Sequence, residues 1–302
     1  MSESDCKLVS SRGIMKSCDV FSSNPISSVT KIIGYDFSKL KPNDSIYICT
    51  TALPDFITFF FNKINVPFIL VTGDCDLNCP PDIFRSPSEF LKFIHSDKII
   101  HWYSQNCVVK HPKLTPIPIG LDYHTLAIRD HAWGQTATPI QQEELLLEMA
   151  SLAKPTNERT MLCYSNFHFF MTSRYGNDRT DARDKIPSEC IFYEPTCLKR
   201  ADTWKNQSNY AFVVSPKGNG LDCHRTWEAL ALGCIPIIKT SPLNSLFDGL
   251  PVWIVEKWED VTSESMKQKL IEYGNRFLVQ NSRITLSYWK TIIRSQASPP
   301  FI

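Results

Sequence analysis

The sequence predicts an α/β protein built as two Rossmann-like halves. Three observations carry this expectation. Short apolar runs alternate with helix-period stretches, the signature of parallel strands joined by helical crossovers. The alternation occurs twice, on either side of a proline-rich segment and a strongly capped helix. The 302 residues, 43% hydrophobic and 12% aromatic, suffice to bury a large core and to form two domains of ordinary size.

The elements follow in order. Residues 1–30 are rich in Ser and are expected to be partly mobile. In the first half, "SIYICTT" reads as a strand, "PDFITFFFNKI" as a helix, "PFILVTGD" as a strand, "SEFLKFIHS" as a helix and "KIIHWYS" as a strand. The chain turns proline-rich at "PKLTPIPIGLDYHT". Then "TPIQQEELLLEMASLA" opens a helix with Thr138 as N-cap, Pro139 in the first turn and Gln141 completing a capping box. The second series begins with "RTMLCYSNF" as a strand. A polar stretch with Arg174, Arg179 and Arg183 follows, then "CIFYEP" and "VVSPKGNGLDCHRTWEALALGCIPII", a strand, a glycine loop, a helix and another strand. "LPVWIV", a helix from Thr262 to about Leu278 and a last helix around "ITLSYWKTIIRS" close the chain. The expected division is a first half over 1–137, a connecting helix and linker over 138–158, a second half over 159–280, and a terminal helix within 281–302 packing back on the first half.

Charge and cysteine usage exclude several classes. The 32 Lys and Arg balance 31 Asp and Glu, so no net field draws the chain to nucleic acid or an anionic membrane. An anionic ligand must be met locally. The N-terminus lacks the apolar core of a signal peptide, and the longest apolar candidate, "ITFFFNKINVPFILV", is interrupted by Asn62, Lys63, Asn65 and Pro67, short of the roughly 18 residues of a membrane span. The expectation is a cytoplasmic protein without a membrane span. Eleven Cys in a chain of this size argue for reduced thiols, and Cys75 with Cys79 lacks the second pair that a zinc site needs.

The glycine loop has a mechanical reading. Gly218 and Gly220 are expected to let a ligand approach the backbone closely, leaving the amides of residues 215–220 free to face an anion. Asp222 is a plausible N-cap for a helix whose positive end would point back at the loop, and Gly233 would end that helix. Phosphate would be stabilised there. Neither GxGxxG nor a Walker loop is present. His224, Arg225 and Glu228 project from one side of the helix, with Trp227, Leu230 and Ala231 on the other. A guanidinium there can grip a diphosphate bidentately, and a carboxylate one turn on can accept both hydroxyls of a ribose. The plainer alternative is a local ion pair of Arg225 with Glu228 on a core helix.

"SPKGNGLDCHRTWEALALGCIPII", with "LPVWIVEKWEDV" following, resembles the C-terminal signature of exostosin-like glycosyltransferases, in which a Gly-rich loop, an Arg, an "EAL" and a "GCIP" segment occur in this order. The resemblance covers residues 210–262, about a sixth of the chain. It implies a GT-B fold, two Rossmann-like domains facing across a cleft, with the sugar nucleotide held mainly by the second. It makes Glu228 the ribose ligand, Arg225 a diphosphate ligand, and Ser215, Lys217, Gly218, Asn219 and Gly220 the phosphate loop, with His224 beside it. The family's Golgi members carry a membrane helix that is not found here. In this respect the chain more closely resembles cytosolic enzymes encoded by large algal viruses. Arg174 is the better candidate of its stretch for the leaving diphosphate, since Arg179 and Arg183 alternate with Asp178, Asp181 and Asp184 as a solvated face would. Tyr193 could stack on the base or simply pack.

An inverting transfer needs a general base for the acceptor hydroxyl. Asp74 and Asp55 each follow the carboxyl end of an expected strand in the first half, although either could instead cap a helix or form a turn. Asp122 and His124 fall where the chain leaves the first sheet and are candidates to line the cleft. The "DCD" at Asp74–Asp76 resembles the metal-binding Asp-x-Asp of GT-A enzymes but is assigned to the acceptor side, so no metal cofactor is expected. The resulting expectation is a metal-independent, inverting glycosyltransferase. Its donor would be a nucleoside-diphosphate sugar, UDP-linked and carrying a pentose such as xylose, and its acceptor a glycan or glycoprotein. The alternatives are a non-catalytic sugar-nucleotide or glycan-binding protein of the same fold, and another transferase or an epimerase on a Rossmann pair.

Overall fold

The structure, a computed structural model, describes residues 2–169, 171–273 and 281–295. The first half contains α1 (Ser11–Met15), β1 (Ser45–Cys49), α2 (Leu53–Phe59), β2 (Phe68–Gly73), α3 (Pro87–Ile94), β3 (Ile99–Ser104), β4 (Leu114–Pro116) and α4 (His124–Ile128). Its four strands form a parallel sheet in the order β1-β2-β3-β4. Every residue of β1 and β2 is buried, as a parallel sheet covered on both faces requires. The short β4 lies inside the proline-rich stretch, where no strand is expected. It is an edge strand, and Pro116 is tolerated at its end because no further strand needs that amide.

α5 (Pro139–Leu152) joins the halves, and its N-terminus has the expected capping box: the Thr138 amide donates to Gln141 Oε1 at 2.9 Å and the Gln141 amide to Thr138 Oγ1 at 3.3 Å. The second half contains β5 (Thr160–Ser165), α6 (Gly176–Lys185), β6 (Ile191–Tyr193), α7 (Arg200–Gln207), β7 (Tyr210–Val214), α8 (His224–Ala231), β8 (Ile235–Lys239), β9 (Trp253–Val255) and α9 (Ser263–Tyr273). Its parallel sheet runs β6-β5-β7-β8-β9. The helix expected to reach Leu278 is described to Tyr273, and its remainder lies outside the described residues. α10 (Leu286–Ser295) follows.

Each half has its own apolar cluster, and a third spans both, running from Val9 and Tyr103 through Leu146 and Trp227 to Trp289. α10 lies on the first half, where Tyr103 Oη donates to the Ile292 carbonyl at 2.8 Å. The residues before it join the N-terminal segment, Val9 N–H donating to Ile284 O at 2.9 Å and Leu286 N–H to Lys7 O at 2.8 Å. The N-terminus thus departs from the expectation of mobility. Val9, Ile14 and Met15 are buried in the shared cluster, and the Glu143 carboxylate of α5 accepts the amides of Lys7 and Leu8, each at 2.8 Å. The result is an α/β protein of two Rossmann-like halves facing across a cleft.

Candidate functional site

The cleft has a volume of about 750 Å³ and is lined by the loops after β5 and β6, by α7 and α8, and from the first half by Asp122 and residues 131–133. α8 positions the central side chains. Its inner face buries Trp227, Leu230 and Ala231, and Gly233, at φ +75°, ends it as a left-handed residue with its amide on the Leu230 carbonyl. The outer face turns His224, Arg225 and Glu228 into the cleft.

The glycine loop differs from expectation. Neither Gly218 nor Gly220 has positive φ. A Cβ on Gly220 would lie 2.9 Å from Asn106 Nδ2, so this glycine permits close approach of the first half rather than of a ligand. Asn106 Oδ1 accepts the amides of Leu221 at 3.2 Å and Asp222 at 3.1 Å. The Lys217 amide donates to Asp178 and the Gly218 amide to the Gly220 carbonyl. Much of the expected amide cradle is therefore occupied. Asp222 does not cap α8, whose N-cap is Cys223. Its buried carboxylate instead accepts the Ile119 amide of the first half at 2.8 Å, the Cys223 amide at 2.9 Å and Trp227 Nε1.

Positive charge is supplied by side chains. Arg179 and Arg225 both line the cleft, their guanidinium carbons 6.0 Å and 5.4 Å from the Phe167 ring. Among the described residues neither makes an ion pair within 4 Å; Arg179 donates to the carbonyls of Lys217 at 3.2 Å and His168 at 3.0 Å, and Arg225 to that of Pro216 at 3.4 Å. Burial, reinforced by Arg225, lowers Arg179 to about 10. Two partly desolvated cations side by side repel each other, and a dianion between them would relieve the repulsion. The even alternation of charge in "NDRTDARD" hides Arg179, whose helix turns it inward.

Glu228 does not pair with Arg225. Its Oε1 lies 3.6 Å from Arg200 Nε. Arg200 is a cleft residue that local sequence patterns do not mark. Its Nη1 donates to the Asp122 carbonyl at 2.7 Å and Gln142 Oε1 at 2.9 Å, its Nη2 lies 3.8 Å from Asp122 Oδ2, and its guanidinium stacks 4.0 Å from the centre of Trp133. Its position is the available signal: Arg200 follows a strand's carboxyl end by a short loop, the position that singled out Asp74 and Asp55.

The remaining expected residues are scattered. Ser215 is buried, its hydroxyl 2.8 Å from that of Thr226, and Lys217 Nζ donates to the Thr240 carbonyl at 3.3 Å. Arg174 is exposed and paired with Asp82 at 2.7 Å outside the cleft lining. Tyr193 packs edge-on against Phe169 and donates to the Arg183 carbonyl. Asp55 is held by Lys31 at 2.8 Å and the Ile32 amide at 3.0 Å. Asp74, at φ +58°, is buried: Ser27 Oγ donates to it at 2.8 Å and Arg12 lies 3.5 Å away. Neither carboxylate lines the cleft. Asp76 does extend outward, against Asn219 and Gly220. Among the described residues no group of three or more His, Cys, Asp or Glu is placed to hold a metal, and no helix is long and apolar enough to cross a membrane.

Asp122 and His124 meet beside the cleft, with His124 Nδ1 3.2 Å from Asp122 Oδ1. Burial raises Asp122, but the charges of His224, His124 and Arg200 outweigh it and hold the carboxyl at about 2. Burial, reinforced by Arg12, lowers His124 to about 4 against the pull of Asp122. Both shifts act in one direction. The unfolded chain protonates His124 near 6.5 and Asp122 near 3.8, before the folded chain does, so stability is lost as pH falls, first from about 6.5 to 4 and then towards 2. Melting temperature should fall over the upper window in wild type and fall less steeply in His124→Gln. Parallel curves would remove His124 from this account.

No family model and no curated protein matches the chain. Solved structures similar to it include an α,α-trehalose 6-phosphate synthase from Burkholderia multivorans, at 13% identity and TM-score 0.45 over 86% of this chain and 71% of that one. An α1,3-fucosyltransferase aligns at 11% identity and TM-score 0.40 over 91% and 94% of the two chains. A structure described as trehalose-6-phosphate from E. coli bound with UDP-2-fluoro glucose aligns at 12% identity and TM-score 0.36 over 86% and 71%.

Proposed function

We propose that this chain is an exostosin-like glycosyltransferase of the GT-B type. It would move a sugar from a nucleoside-diphosphate donor to a hydroxyl of a glycan or glycoprotein with inversion and without a metal. The observation that carries the proposal is the pair of buried Arg179 and half-buried Arg225 at one cleft wall, with no carboxylate within 4 Å among the described residues, and Glu228 one turn further along α8. A diphosphate between the two guanidiniums would neutralise both and receive charge-assisted, bidentate hydrogen bonds. Their two charges can stabilise the leaving group as its bond to the sugar breaks, which is the task a divalent cation performs elsewhere. Glu228, oriented by Arg200, is the acceptor for the ribose hydroxyls. UDP and a pentose such as xylose are the proposed nucleotide and sugar. The resemblance over residues 210–262 supports the family reading.

Calorimetric titration of UDP into wild type and Glu228→Gln tests the site. The substitution keeps size and helix propensity but removes the charge behind two hydrogen bonds, and charge-assisted bonds are worth about 1.5–3 kcal/mol. UDP affinity should fall about tenfold to a hundredfold, with and without EDTA. Equal affinities would remove Glu228 from the site, and wild-type binding lost in EDTA would overturn the metal-free reading.

A further inference from the structure

We propose that His224 is the base that takes the proton from the acceptor hydroxyl, which rests on the transferase reading above. Its Nδ1 lies 2.7 Å from the Gly120 carbonyl. A carbonyl can only accept, so Nδ1 carries the hydrogen and the neutral ring keeps its lone pair on Nε2. The ring lines the cleft from the first turn of α8, four residues before Glu228 on the same face, about 6 Å nearer the helix N-terminus. With the ribose at Glu228 and the diphosphate at Arg179 and Arg225, that displacement places the imidazole on the side where the sugar and the incoming hydroxyl meet.

The surroundings suit the role. Asp76 and Asp122 of the first half and the buried Asp222 lie within electrostatic reach of the ring, with the His124 ring centroid 6.5 Å away. Gly120 is itself fixed: at φ +64° a Cβ there would run into the Val9 carbonyl, so the backbone that orients the histidine is braced by the N-terminal segment. The other cleft carboxylates are engaged. Glu194 accepts the Tyr164 hydroxyl at 2.8 Å and Asn206 Nδ2 at 3.1 Å, Glu228 faces Arg200, and Asp122 accepts both the amide and the hydroxyl of Thr125.

The step balances without a further reactant. As the acceptor oxygen forms its bond to the anomeric carbon, its proton passes to His224 Nε2. The bond from that carbon to the phosphate oxygen breaks, and its electron pair leaves on the diphosphate between the two arginines. The products are an inverted glycoside, the nucleoside diphosphate and an imidazolium that returns its proton to solvent.

The test uses water as acceptor, with UDP-α-xylose and UDP-α-glucose as donors and UDP release as the readout. His224→Gln should lower the release rate about 10²- to 10⁴-fold while UDP affinity by calorimetry stays within about threefold of wild type. NMR of the first sugar released by the wild-type protein gives a second measurement that needs no variant, and it should show the β anomer. Wild-type release rates in His224→Gln, or an α-anomer product, would overturn the assignment. Collapse in Asp76→Asn with near-normal His224→Gln would overturn it in favour of Asp76. Failure of the wild-type protein to bind UDP or to release it from either donor would instead sink the transferase reading, and this proposal with it.

Discussion

Replacing Arg225 by methionine should slow UDP release from a nucleotide sugar about 10²- to 10³-fold while leaving the melting temperature unchanged or slightly higher. Removing one preorganised donor that meets developing charge costs that much in related chemistry, about 2.7–4 kcal/mol. The stability term is small because desolvation and the neighbouring Arg179 work against Arg225, Glu228 attracts it without pairing, and its hydrogen bond to Pro216 O is long at 3.4 Å. Methionine keeps the packing against Phe167 and removes the repulsion. A merely structural arginine would behave the other way, losing stability and sparing turnover. Activity within threefold of wild type would dissolve the proposed diphosphate grip.

Glu143→Leu should give the largest stability loss, about 3–5 kcal/mol. The Glu143 carboxylate is 4% exposed and accepts Lys7 N–H and Leu8 N–H at 2.8 Å each and Tyr123 Oη–H at 3.1 Å. Leucine strands these donors, and each buried, unsatisfied donor costs about 1–3 kcal/mol, less for the part-buried Lys7 amide. At roughly 2 °C per kcal/mol for a chain of this size, the melting temperature should fall by about 6–10 °C. Glu143→Gln, which retains one acceptor oxygen, should lose less. Thermal unfolding of the two variants decides the matter: a drop under 2 °C in the leucine variant would mean that the N-terminal segment is held by its apolar residues alone.

These two residues show what was and was not legible in the sequence. The alternation of β1 to β3 with their helices was plain, because parallel strands are apolar throughout and their crossovers are amphipathic. α8 was equally plain, since Trp227, Leu230 and Gly233 announce its inner face and its end. α5 misleads: its string of leucines suggests an apolar face, yet Gln142 and Glu143 are buried while Leu152 is 79% exposed. Helical periodicity reports an average face and cannot register a carboxylate whose partners lie 135 residues away. The same blindness explains Arg200, whose partner Asp122 is 78 residues distant, and Asp178, which takes the Lys217 amide of the loop expected to await phosphate from 39 residues away. Local chemistry identified the helix that carries the proposed site. Long-range pairing decides which of its neighbours are occupied.

The packing of α10 on the first half has a consequence for how the protein is made. The first sheet is complete in sequence by β4, but Tyr103 meets the Ile292 carbonyl 189 residues later, and Leu286, Trp289 and Ile293 fill the cluster that contains Val9 and Met15. At a synthesis rate of about 5–20 residues per second, a nascent first half waits roughly 10–40 s after Tyr103 is added before its last cover leaves the ribosome. During that interval the surface destined for α10 stands open to solvent and to other nascent chains. A chain released before residue 281 would lack α10, and with it Leu286, Trp289 and Ile293, which close the cluster around Val9 and Met15.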